Sequence, residues 1–230
     1  MSEGILRERI EALKDEKNAA FLSDLCPQTD PSCILGARVP QLRRLAAQAE
    51  KEGLAEAFLR ELPHVYHEEN IVHAILVSRL RSVPACIEAL ECFLPWTDNW
   101  AVTDTIRPSL IRKHPAAFEP HLQKWMASDH PFTVRTAIGL YMAYYLEEAF
   151  RTEQAEAIAS LRSENYYVNM MRAWYMATAL AKQPEEILPL LKGERMDEWT
   201  RKKAIQKALE SRRISGEQKE ILHHMRKEIA

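Results

Sequence analysis

The chain has 230 residues, of which 47% are hydrophobic and 28% charged, with a formal net charge of −2 at pH 7. That length can bury a sizeable core unaided, the apolar and charged fractions are those of a globular protein, and no run of about eighteen apolar residues offers a membrane span. The near-neutral total excludes a chain that is basic all over, yet charge is unevenly placed: from Arg195 onward ten Lys/Arg stand against six acids, a net of +4, which leaves −6 for the preceding 194 residues.

The first segment, MSEGILRERIEALKDEKN, is charged throughout and lacks an apolar signal segment, so a cytoplasmic, nucleoid-associated location is the expectation. Cys26, Cys33, Cys86 and Cys92 match neither a redox Cys-x-x-Cys nor a zinc knuckle and read as buried or half-buried thiols. His223 and His224 are adjacent, hence about 100° apart on a helix and poorly placed to share an ion. Neither a metal nor a cofactor is predicted.

Val39-Pro40 opens a helix with proline in its first turn, and Leu42, Leu45, Ala46 and Ala49 fall on one face. Arg38, Arg43 and Arg44 form a basic cluster at its start. After Pro63, Ile71, Ala74, Ile75, Val77, Ser78 and Leu80 keep the helical spacing, while Tyr66, His67, Glu68 and Glu69 suit either a groove or core and surface roles.

The stretch PWTDNWAVTDT, residues 95–105, is unusual in carrying two tryptophans and two aspartates. With Asn99 or Asp98 as a cap, Trp100 and Asp104 stand at i and i+4, one turn apart on one helical face. The plainer alternative puts Trp100 in the core and leaves Asp104 as a cap or the partner of an arginine. Trp96 is a further wall or simple packing, and Asp98 a cap.

Ser128-Asp129-His130-Pro131 supplies a turn into a helix with Val134, Ile138 and Met142 as its buried stripe. Arg135 on that helix is either solvated or ready to grip phosphate. The YMAYY run from Tyr141 to Tyr145 suits a groove, core or surface. Trp174, among Met170, Ala173, Ala177 and Leu180, reads by default as core. Finally, TRKKAIQKALESRR offers Arg201, Lys202, Lys203, Lys207, Arg212 and Arg213 to an anionic partner, with an exposed Lys203/Lys207 stripe lacking any partner as the alternative.

Six glycines, twelve prolines spread between apolar-periodic segments, and the absence of alternating strand patterns or Asn-Gly and Asp-Gly hairpin signals predict an all-α fold. Alanines set among larger apolar residues recur at 74, 101, 137, 173 and 204, intervals of 27, 36, 36 and 31 residues. That is near the period of paired-helix solenoids, so one curved array of helical repeats over residues 1–230, with its function on a concave face, is expected.

Taken together, ILGARVPQLRRLA, NWAVTDT, VRTAIGLYM, NMMRAWYMATALAK and WTRKKAIQKALES resemble the AlkD-type DNA alkylation repair family, alkylpurine DNA glycosylases built from HEAT-like repeats. The resemblance implies a catalytic centre made of Trp100 and Asp104 with Arg135 and Trp174, and double-stranded DNA containing alkylated bases as the partner. It implies hydrolysis of the glycosidic bond of positively charged purines of the 3-methyladenine and 7-methylguanine type. Asp104 would stabilise the cationic sugar and position water, and the basic clusters would hold the DNA backbone. The alternative is a non-catalytic helical-repeat protein that binds distorted or branched DNA.

Overall fold

The computed structural model describes residues 4–228. Among them are fifteen α-helices, two short 3-10 turns and no strand, so the all-α expectation is met. Two compact units divide the chain, Met1–His121 and Leu122–Ala230. The first holds α1 (Ile5–Glu11), α2 (Glu16–Leu25), α3 (Val39–Lys51), α4 (Ala55–Arg60), α5 (His67–Arg79), α6 (Val83–Phe93), α7 (Trp100–Thr105), α8 (Leu110–Lys113) and the start of α9 (Pro115–Met126). The second holds α10 (Pro131–Tyr144), α11 (Thr152–Ser160), α12 (Tyr166–Leu180), α13 (Pro184–Lys192), α14 (Glu198–Glu210) and α15 (Gly216–Glu228).

Helix starts follow local chemistry. Proline stands in the first turn of α3, α6, α10 and α13, where its missing N–H costs nothing. Asp15, Asn99, Asn165 and Asp197 cap α2, α7, α12 and α14 by accepting backbone N–H groups of the first turn. Alternate helices then stack: α3 on α5 and α5 on α7 in the first unit, α10 on α12 and α12 on α14 in the second. This is the packing of a helical repeat array, in which each element buries itself against its neighbours. Ala74, Ala137, Ala173 and Ala204 are fully buried, which lets helices approach closely, while Ala101 is half-buried.

The central helices are buried on almost every side. In α5 eleven consecutive residues, His67 to Val77, are buried, including charged ones. Each buried charge has partners. Glu68 accepts the backbone N–H groups of Leu35 (2.9 Å) and Gly36 (2.7 Å), and Glu69 accepts from Arg7 and from the N–H groups of Val65 and Tyr66. The groove reading of His67, Glu68 and Glu69 is therefore corrected: they form a polar core that ties the chain before α3 and α5 together. Gly36 has φ +85, and a Cβ there would lie 2.1 Å from the Asp15 carbonyl oxygen, so no other residue fits.

Two smaller expectations also change. Met142 is half-buried rather than part of the core stripe, because the buried run of α10 ends at Tyr141. Cys92 is exposed; Cys26 and Cys86 are buried, and the thiol of Cys86 is pushed up to about 12 by burial. Tyr141 and Tyr145 pack edge to face in the core at 5.0 Å between ring centroids. Among the described residues no group of three or more His, Cys, Asp or Glu could hold a metal ion, and no helix is long and apolar enough to cross a membrane.

In the second unit the largest fully buried side chain is that of Arg172. Its guanidinium donates to the Ile158 and Ala159 carbonyls at the end of α11, to Asn169 Oδ1, and to Asp197 Oδ2 at 2.7 Å. Burial pushes Arg172 down from its ordinary range, against the pull of Asp197. Asp197 in turn caps α14, so one cation fixes where α14 begins.

Candidate functional site

α7 is a six-residue helix, too short to persist without help from outside itself. That help is a buried network at its start. Asn99 Oδ1 accepts the Val102 N–H, and Asn99 Nδ2 donates to Thr29 Oγ1 (3.0 Å), Asp98 Oδ1 (2.8 Å) and His67 Nδ1 (3.0 Å). Thr29 closes the ring by donating to Asp98 Oδ2 at 2.7 Å. Burial lowers His67 from its ordinary range, which keeps the imidazole neutral with Nδ1 free to accept. The cap is thus Asn99, and Asp98 is not a cap but a brace for Asn99 and Thr29.

Trp100 and Asp104 follow from this frame, one turn apart on one face of α7 and both partly open to solvent. The indole Nε1 of Trp100 donates to the Leu25 carbonyl at the end of α2 (2.9 Å), which holds the ring to a second helix. Next to this contact, burial and then the charge of Asp98 push the Cys26 thiol up to about 11, leaving it an inert packing group. The Thr103 hydroxyl turns back to the Trp100 carbonyl at 3.1 Å. Trp96 is 48% exposed, so packing does not account for it.

The other two predicted site residues lie in the second unit. Arg135 is only 4% exposed and donates from Nη1 to the Tyr167 carbonyl in the first turn of α12 (2.9 Å). It is not a solvated side chain. Trp174 is 41% exposed, which corrects its default reading as core, and Lys207 Nζ sits 5.9 Å from its ring centroid. At that distance a lysine over an indole face is attracted by roughly 0.5–1 kcal/mol. The structure thus pairs Trp100 with Asp104 in one unit and Trp174 with Lys207 in the other.

The predicted basic residues divide in the same way. In the first unit Arg38, Arg43 and Arg44 are exposed around the start of α3, with Arg38 paired to Asp15 at 3.0 Å. In the second, Lys202 pairs with Glu198 at 2.7 Å, and Lys203 donates to Gln206. Arg201 is half-buried and donates to the Gly193 carbonyl, while Arg212 and Arg213 are exposed beyond α14. Lys207 is the one of the set that meets an aromatic ring.

Three features escaped sequence reasoning. The Thr29, His67 and Asn99 network joins positions 32 and 70 residues apart, for which a single sequence carries no signal. Arg172 looks like any helix arginine until Asp197 is brought to it. Tyr166 and Trp199 are exposed, at 54% and 40%, and touch edge to face at 5.7 Å. These two had a signal: Tyr166 shares helical row spacing with Trp174, and Trp199 with Lys203 and Lys207.

No curated protein matches the chain closely enough to count as a relative. The family model for the DNA alkylation repair enzyme, by contrast, matches residues 6–208, a span that contains Trp100, Asp104, Arg135 and Trp174. With a match over most of its length, the chain belongs to the DNA alkylation repair enzyme family, whose members act in repair of alkylated DNA.

Proposed function

We propose that the protein hydrolyses the glycosidic bond of positively charged alkylated purines in double-stranded DNA, with Asp104 as the central residue. The observation that carries this reading is α7 itself: an indole and a carboxylate one turn apart, on a short helix braced by a buried hydrogen-bond network. A purine alkylated at ring nitrogen 3 or 7 is already cationic, so it leaves without a general acid. What remains is a developing positive charge on the sugar and a water to capture it. A fixed carboxylate serves both needs, by charge stabilisation and by accepting a hydrogen bond from that water.

Tryptophan faces favour a cation over a neutral ring by roughly 0.5–2 kcal/mol, the property that Trp100 and Trp174 bring. Arg135 acts at one remove, through the Tyr167 carbonyl, and positions the start of the helix that carries Trp174. Of the basic residues, the exposed Arg43, Arg44, Arg212 and Arg213 are the proposed phosphate contacts, with Lys207 beside Trp174.

The test is release of 7-methylguanine and 3-methyladenine from methylated duplex DNA by the wild type and by Asp104→Asn. The wild type is expected to release both, and Asp104→Asn to lose at least about 100-fold in rate with DNA affinity retained, the scale seen when one charge-stabilising group is removed. Release by neither protein, with salt-sensitive DNA binding intact, would replace this reading by that of a non-catalytic DNA-structure binder.

A further inference from the structure

Most of α12 lies inside: nine of its 15 residues, between Val168 and Leu180, are buried. Among the residues left at least partly open is a row at one-turn intervals, Tyr166, Met170, Trp174 and Thr178, in which Tyr166 and Trp174 are the exposed members, Tyr167 and Asn169 being half-buried beside it. α14 lies alongside and contributes a matching row, Trp199, Lys203 and Lys207. The rows meet twice, Tyr166 against Trp199 at 5.7 Å and Trp174 beneath Lys207 at 5.9 Å.

On both helices the two contact points are eight residues apart, so α12 and α14 run parallel and in register on this face. At 1.5 Å per residue the two points are separated by about 12 Å. Midway between them the same register sets Met170 opposite Lys203. Three exposed aromatic rings on two adjoining helix rows, Tyr166 and Trp174 on α12 and Trp199 on α14, are not what solvated helix faces carry. Rings interleaved with lysines are what binds unstacked nucleic acid, the rings taking bases and the cations phosphates. A separation of about 12 Å spans three to four nucleotides at the 3.4 Å rise of a stacked strand, and fewer if the strand is drawn out.

We propose that Tyr166 and Trp199 form a second nucleotide-stacking station in register with Trp174, so that the α12–α14 face holds one strand of DNA with its bases unstacked and its phosphates on Lys203 and Lys207. α14 has two acids, Glu198 and Glu210; Glu198 is paired with Lys202, and Glu210 accepts from Gln206. The inference rests on DNA as the substrate of the family and not on base excision. It differs from the Trp174 assignment in naming a site one end of which no reacting base need reach.

The experiment is a titration of the full chain into a fluorescein-labelled oligothymidine of about 12 nucleotides, within the usual single-strand site sizes, followed by anisotropy. Tyr166→Ala and Trp199→Ala are each expected to weaken binding by about 5-fold or more, and Trp199→Phe, which keeps a ring, to recover most of the loss. Lys203→Gln is expected to lower the slope of log affinity against log salt by about 0.7. A fully paired duplex of the same length is expected to be less affected by the two aromatic changes. Unchanged oligothymidine affinity in both alanine variants would overturn the inference and leave the row to a protein partner, and equal losses on single strand and duplex would overturn the stacking. The catalytic reading fails separately: a wild type that binds through Tyr166 and Trp199 but releases no base would sink base excision and leave this site standing.

Discussion

Replacing Asp197 by alanine strikes the second unit at one point and removes two things. The first is the cap of α14, whose loss costs about 1 kcal/mol. The second is the counter-charge of Arg172, whose side chain is 0% exposed. Breaking one side of a buried pair typically costs about 3–5 kcal/mol, because the remaining charge is stranded. Here the Ile158 and Ala159 carbonyls still solvate the guanidinium, and Asp197 is 33% exposed, so water can enter where it stood. Those two facts bring the stranded-charge cost to about 2–3 kcal/mol, and the total to about 3–4 kcal/mol. Urea unfolding at pH 7, followed by tryptophan fluorescence, measures it for Asp197→Ala, Arg172→Met and the double variant. The double variant is expected to be less destabilised than the sum of the singles by at least about 1.5 kcal/mol, since it strands no charge. A loss of 1 kcal/mol or less in Asp197→Ala would refute the account, since that is the cost of the cap alone.

Acid should weaken the first unit through His64 and His73, which share a hydrogen bond of 2.9 Å beside Phe58 and Phe93. Burial, against the opposing charge of Glu69, lowers His64 to about 4, and burial holds His73 well below its ordinary range. The unfolded chain therefore takes up protons first, and stability is full above about pH 7 and falls as pH drops below about 6.5, by about 2 kcal/mol between pH 7.5 and 5 from His64 alone; urea midpoints that do not move over that range would contradict it. Gly36→Ala sets a Cβ 2.1 Å from the Asp15 carbonyl oxygen at a positive φ, and is expected to cost at least about 2 kcal/mol in the same assay. Asn99→Ala removes the α7 cap and the donor shared by Thr29, Asp98 and His67, for a loss of about 2 kcal/mol or more and a parallel fall in base release. Full release by a destabilised Asn99→Ala protein would separate the brace from the chemistry.

The helices were legible because their starts are written locally: a proline in the first turn of α3 and α10, and Asn99 before Trp100. The pairing of Trp100 with Asp104 was legible for the same reason, since one turn of helix is a local distance. What the sequence concealed is which apolar-rich helices are open on one row. α12 carries apolar residues on every side, and its one cation, Arg172, points inward, so periodicity gives no direction, and Trp174 read as core although it is exposed. The buried charges were equally hidden. Glu68 answers N–H groups more than thirty residues earlier, and Arg172 a carboxylate 25 residues later, and charge alone reads as surface until such partners are known.

The indole of Trp100 has a single hydrogen-bond donor, and it is committed to the Leu25 carbonyl. A molecule arriving at that ring meets only π density and carbon edge. It can be weighed there by charge and by contact area, but the pattern of donors and acceptors that tells adenine from guanine finds nothing to address. A surface of this kind carries no alphabet: it sorts visitors by electrostatic sign and leaves the identity of the letter unread.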